Sequence, residues 1–444
     1  MEAHKKKGRD NSTFVNRTVK FAAAAAILTG LARGPEVAQA GYPLNEIVAV
    51  NKNITHEETI TNVKVPSYLI PKYLYQVPSE WIKSHEKAFK TWYHLKNINQ
   101  KTIQQYVHPS ISFDQYYKLA VANYKAADWH PSSELARMKQ FAILCTNMDR
   151  ISNGERPIVA VNEPSAQQHA NSMLLKNYVS HWNTENMLPY MRYSIFGGNE
   201  GAIENVDGDG YKGHDPAYAL AHGLWAMMFS DGAAGNGHRL TILNPTNTGL
   251  SVGIAIGAPP NYATRLDEEF ICDYIHWKQS PILSGGVISL SGSITDPNHI
   301  LQKNALGGIA IIYNKPLHYI SPKRLVSEQY SGHKISYGFD DALVALSDTA
   351  HVDYRNNPQQ PDFIKKEFKN DGNFNISINV KNLIEKNGAG EYTLLIWLKP
   401  NIKAPAIKGQ YENTLGQGTR VVMKTFFIDR NGNQYNPELT VAMR

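Results

Sequence analysis

The sequence offers several residue patterns that could do chemistry. Gly249-Leu250-Ser251-Val252-Gly253 has the G-x-S-x-G spacing that exposes a nucleophilic serine on a strand-to-helix turn. Here the β-branched run continues through Ile256, so Ser251 is expected inside a strand, with the glycines as sheet residues. Asp207-Gly208-Asp209-Gly210, followed by Asp215, has the oxygen-rich composition of a calcium loop. An EF-hand needs Glu at its twelfth position, and that place is Tyr218. The stretch therefore reads as a flexible acidic loop, with calcium binding or cleft lining as its functional alternative. Cys145 and Cys272 allow at most one bridge, and the sequence leaves their pairing open. They cannot form a CxxC metal site. His169, His214 and His222 read as packed rather than ligating. There is no Walker loop and no basic, aromatic-laced stripe.

Positioning such groups requires helices followed by strands. Ser133 is placed to cap a long helix carrying Phe141, Ile143, Leu144, Met148 and Ile151, broken by Gly154 and Pro157. A second helix holds Ala166, Ala170, Met173, Leu174 and Tyr178, with His181 where it should end. A third spans about 216–229. Gly249 to Gly257 and Phe270 to Ile275 follow as strands. Helices leading into a few strands indicate an α+β fold. Ser280-Pro281 to Gly285-Gly286 looks like a domain boundary. Beyond it, 373–380 alternates strictly, 392–398 and 421–428 are further strands, and Asn431-Gly432 is a turn signal. These predict an all-β sandwich over 285–444. Before the helical region, 41–131 reads as a helical or irregular extension, with an amphipathic helix over 80–93 carrying Trp81, Phe89 and Trp92.

The chain has 444 residues and a formal charge of +6. Residues 1–40 hold seven basic and three acidic groups, leaving 38 basic against 36 acidic in the remainder, a net +2. Lys20 is followed by 12 mostly apolar residues, Phe21 to Ala32, and then Ala38-Gln39-Ala40. A basic stretch, a short apolar core and an A-x-A site predict a secretory signal peptide cleaved after Ala40. An uncleaved leader would be the chain's membrane contact. No later segment is long and apolar enough to span a bilayer. A nearly neutral mature chain argues against nucleic-acid partners.

Four pieces of 133–277 resemble the CAP superfamily of SCP-like extracellular domains, which includes cysteine-rich secretory proteins, venom antigens and pathogenesis-related proteins. They are Asn147-Met148-Asp149-Arg150 with Gly154; Ala170 to Met173 with Ser180-His181; Ile203-Glu204-Asn205-Val206; and Gly237-His238-Arg239-Leu240-Thr241-Ile242-Leu243-Asn244-Pro245. The resemblance implies a CAP-type α-β-α sandwich over 132–280. It also implies a cleft holding two histidines, His181 and His238, with Glu204 as one acid. The family's second acid has no clear counterpart: Met228 and Ser230 stand near its place, with Asp231 beside them. Ala202 replaces a glycine, and Asp231 to Asn236 look inserted.

Two imidazoles and a carboxylate converging on one cleft could bind Zn²⁺ or another divalent cation, with water at an open position. A structural hydrogen bond between His181 and Glu204 would account for the same residues without metal. The resemblance implies an exported binding or interaction protein for a protein or lipid ligand at or outside the cell surface, more a binder than an enzyme. The alternative is a metal-dependent hydrolase or peptidase using His181, Glu204 and His238. A third reading is a structural envelope protein with a degenerate cleft.

Overall fold

A computed structural model describes residues 64–77, 111–231, 237–244, 246–296, 301–331, 340–347, 362–369, 372–400 and 419–437. The expected leader and the helix over 80–93 lie outside the described residues. The fold is mixed α+β, with three sheets.

The first sheet is built from β1 (Val159–Ala160), β2 (Gly201–Gly210), β3 (Gly249–Ile256) and β4 (Ala263–Cys272), in the order β1-β3-β4-β2. β1 runs parallel to β3, and the other pairs are antiparallel. Helices cover both faces. On one lie α1 (Phe113–Ala126), α2 (Glu134–Ser152), α5 (Pro216–Phe229) and α6 (Gly237–Ile242). On the other lie α3 (Pro164–Leu175) and α4 (Pro189–Ile195). The first group shares one apolar core with Leu250, Val252, Ile254, Leu266 and Phe270, which all point to that face.

Local signals explain the helix ends. Ser133 accepts a hydrogen bond from Ala136 N at 3.2 Å and starts α2. Asp215 does the same for Ala217 at 2.8 Å at the start of α5, with Pro216 at its first position. Ser112 and Gln115 form a capping box that starts α1, a helix the sequence reading did not place.

Three expectations change. Asp207 to Gly210 is the end of strand β2 rather than a loop, because each residue from Gly201 to Gly210 pairs with β4. Gly285-Gly286, read as part of a domain boundary, is a hairpin turn with both φ positive, between β5 (Ile275–Ser284) and β6 (Val287–Ile294). The chain leaves the first sheet at Asp273-Tyr274. The region after 285 is not all-β: it contains α7 (Pro322–Ser331), introduced by Ser321 and a first-position proline, and α8 (Lys381–Asn387), ended by Gly388 at φ 71°.

That region forms two sheets. β5 and β6 join β10 (Asn373–Asn379) and β9 (Asp362–Phe368) in the order β5-β6-β10-β9. β7 (Leu301–Asn314), β8 (Asp341–Ser347), β11 (Gly390–Pro400), β12 (Thr419–Ile428) and β13 (Gln434–Tyr435) form a sheet ordered β13-β12-β11-β7-β8. Their common core is aliphatic and aromatic, with Ile288, Leu290, Ile309, Ile376, Leu394 and Val421 all buried. β12 docks on the α4 side of the first sheet: Met423 N donates to Asn199 O and Thr425 N to Ser194 Oγ, both at 2.9 Å. Cys145 and Cys272 are both buried and both free. Among the described residues, no helix is long and apolar enough to cross a membrane.

Candidate functional site: a buried charged cluster behind His181

β4 determines where charge sits. Its run Leu266-Asp267-Glu268-Glu269-Phe270 places three successive acids in the middle of a strand that is buried throughout. Alternation sends Asp267 and Glu269 to the α3/α4 face and Glu268 to the α2 face. The neighbouring β2 does the same with Glu204 and Asn205, which lie opposite Glu269 and Glu268.

On the α3/α4 face, His181 Nδ1 donates to Glu204 Oε2 at 2.8 Å. The other oxygen, Oε1, takes a hydrogen bond from the Arg192 guanidinium, which also lies 3.8 Å from Asp267 Oδ2. Arg192 further donates from Nη1 to His181 O at 2.8 Å and Met187 O at 3.1 Å. It therefore fixes both the loop carrying His181 and the acid that His181 meets. The side chains of Arg192, Glu204 and Asp267 are buried, whereas that of His181 is 28% exposed. His169 on α3 is 1% exposed, and its Nε2 meets Ser180 O at 2.8 Å. Ser165 on α3 donates to Glu269.

The electrostatics follow from burial and from Arg192. Burial raises Glu204, but Arg192 and the His181 hydrogen bond outweigh it and hold the carboxyl below its ordinary range. Asp267 is raised well above that range, first by burial and then by the charges of Glu204 and Glu269. Two carboxyls this close and this dry do not both ionise without a further cation. Burial pushes Glu269 up to about 8. Burial, helped by the Arg192 charge, drives His169 down to about 3, so its imidazole is neutral.

The opposite face holds a separate arrangement. His238 Nδ1 donates to Asp231 Oδ1 at 2.8 Å, and Asp231 Oδ2 accepts from the His238 backbone N at 2.9 Å. Asn205 Nδ2 donates to His238 O at 3.2 Å. Burial lowers His238, but the Asp231 bond outweighs it and leaves the imidazole raised. Glu268 accepts from Thr146 Oγ1 at 2.7 Å and is pushed by burial up to about 7. Tyr75 and Tyr116 both donate to buried Asp149, at 2.9 and 2.8 Å.

Of the three residues the sequence singled out, the structure brings His181 and Glu204 together and places His238 across the sheet, paired with Asp231. Among the described residues, the histidine and acids whose ligand atoms approach one another are instead His169, Glu204 and Asp267. In the sequence His169 reads as packed, and Arg192, Asp267 and Glu269 match none of the motif pieces. Three consecutive acids between Leu266 and Phe270 were the available signal. His222 bonds Asp209 at 2.7 Å and stacks near Trp225, and His214 stacks on Tyr218 at 4.2 Å. Ser251 donates to Glu163 O, and a Cβ on Gly253 would lie 1.9 Å from Ala166 O. The G-x-S-x-G glycine thus admits helix α3 close to the sheet and exposes no nucleophile. A cavity of about 460 Å³ lies elsewhere, between Trp277, Lys278 and Lys424.

No family model matches this chain, and no curated protein does. Among solved structures the chain is similar to the CAP domain of Enterococcal PrgA, at 15% identity, over 48% of this chain and 87% of that one, with a TM-score of 0.19.

Proposed function

We propose that the chain is an exported CAP-type protein with a binding role at or outside the cell surface, its α-β-α sandwich formed around the first sheet. One observation carries this reading: the four sequence-distant motif pieces close onto one another in space. Arg150 from the first piece donates to the carbonyls of Ile242 and Asn244 in the fourth, at 2.5 and 2.9 Å. His181 from the second meets Glu204 of the third. Asn205 of the third holds the backbone of His238 in the fourth. Asn147 of the first pins the start of β1 through Ile158, accepting from its N–H at 2.9 Å. Motif residues that brace one another in this way support one scaffold built from all four pieces rather than a chance string.

Binding is favoured over hydrolysis by the separation of His238 from Glu204. The metal-dependent hydrolase needs both histidines and the acid at one reacting centre. His181 is partly solvent-facing and held rigid from behind, which suits an orienting contact to a protein or lipid surface partner. N-terminal sequencing of the exported protein tests the compartment: a start at Gly41 is expected, and a start at Met1 contradicts export by cleavage. For the ligand, pull-down from a surface extract and lipid-overlay binding are compared between wild type and His181→Ala. At least a tenfold weakening on substitution is expected. Unchanged binding would move the site away from His181.

A further inference from the structure

We propose that His169, Glu204 and Asp267 form a buried site for one divalent ion of the Zn²⁺ type, in the wall behind His181. The three residues each present a ligand atom, and these atoms all lie within 4.8 Å of one another. A tetrahedral ion with bonds of about 2.0–2.2 Å holds its donors roughly 3.5 Å apart, so the side chains need to close by about an ångström.

The orientation of His169 points to a ligand. Its Nε2 is taken up by Ser180 O, which fixes the N–H on that nitrogen and leaves the lone pair on Nδ1. Nδ1 has no hydrogen-bond partner, although the residue is 1% exposed. A metal-bound histidine characteristically donates its other ring nitrogen to a carbonyl in this way. Both oxygens of Asp267 are likewise buried and accept no hydrogen bond, the nearest partner of this carboxyl being Glu204 itself. Glu204 already contacts His181 and Arg192, but each carboxylate oxygen has a second lone pair to offer.

Charge supports the same conclusion. Glu204, Asp267 and Glu269 face a single guanidinium, Arg192. A divalent ion would add positive charge where that one guanidinium is shared between Glu204, at hydrogen-bond distance, and Asp267, at 3.8 Å. An imidazole nitrogen with two carboxylate oxygens suits a borderline ion such as Zn²⁺ more than Ca²⁺, which takes six to eight oxygens. This donor set differs from His181, Glu204 and His238, because His238 lies on the other side of the sheet. It is also independent of what binds over His181.

The purified full chain, stripped with chelator, is titrated with Zn²⁺ by calorimetry, and the loaded protein is examined by X-ray absorption. Uptake of about one ion per chain, with a first shell containing one imidazole, is expected. Asp267→Asn, which keeps the side-chain shape, should weaken binding at least about tenfold, and His169→Gln similarly. His238→Ala should bind as the wild type does. Failure of the wild type to take up Zn²⁺, or a first shell with two imidazoles, overturns the proposal. So does loss of binding in His238→Ala with retention in Asp267→Asn. Near-UV circular dichroism identifies any variant that has lost its fold, and the absorption spectrum of the wild type decides the matter without variants.

Discussion

β4 and β11 are both central strands buried on both faces, yet they are filled in opposite ways. β11 presents Tyr392, Leu394, Ile396 and Leu398 to one side and Leu395 and Trp397 to the other, all within apolar clusters. β4 presents Asp267, Glu268 and Glu269 from the same kind of position. Dry carboxyls cost free energy unless paired, and even a well-paired buried ion pair is often no better than apolar residues of its volume. Packing accounts for β11 from Leu394 to Leu398; its buried Thr393 pairs with Thr425, and its one buried acid, Glu391, stands at the start of the strand and accepts from Leu317 N. Packing does not account for β4, whose acids gather His169, Arg192, Glu204 and, across the sheet, Thr146. The contrast separates a strand that packing explains from one whose buried charges packing leaves unexplained.

The contrast is broken most sharply at Arg192. Arg192→Ala leaves Glu204 and Asp267 buried without their cation and should cost about 3–5 kcal/mol in urea unfolding. Leu394→Ala in β11 should cost a comparable or slightly smaller amount, about 2–5 kcal/mol, through lost burial and a cavity. The two differ in salt and pH response, which the charged site shows and the apolar one lacks.

A smaller effect sharpens the difference between the two faces of the first sheet. His238 is raised by Asp231, so the pair stabilises the fold fully below the unfolded histidine value of about 6.5. That contribution fades as pH rises through the folded value. Asp231→Asn should therefore lower stability by about 1 kcal/mol at pH 6 and by less at pH 9. Chemical denaturation at the two pH values checks this, and a larger loss at pH 9 contradicts the pairing.

Much of the scaffold was legible in the sequence, for local reasons. The Ser133 cap, the span 216–229 and the strict alternation of 373–379 are written in neighbouring residues, and each element forms there. The glycine pair 285–286 was read as a boundary because a turn and a linker share composition. β4 was recognised only from Phe270 onward, since its acids interrupt the hydrophobic pattern that marks a buried strand. The site was half legible. Motif order singles out His181 and Glu204, and both meet. Whether His238 joins them depends on strand parity: Asn205, one residue on from Glu204, faces the other way and holds His238 there. No spacing of 23 or 34 residues carries that information.

The central claim is that the charged cluster around β4 exists for binding and not for folding. The direct measurement is the urea unfolding free energy of the triple variant Arg192→Met, Glu204→Met, Asp267→Leu, in which the cluster becomes apolar at similar volume. Unfolding free energy equal to the wild type, or higher by up to about 4 kcal/mol, is the result expected. A loss as large as that of Arg192→Ala alone would show that the charges hold the fold together, and would contradict the account.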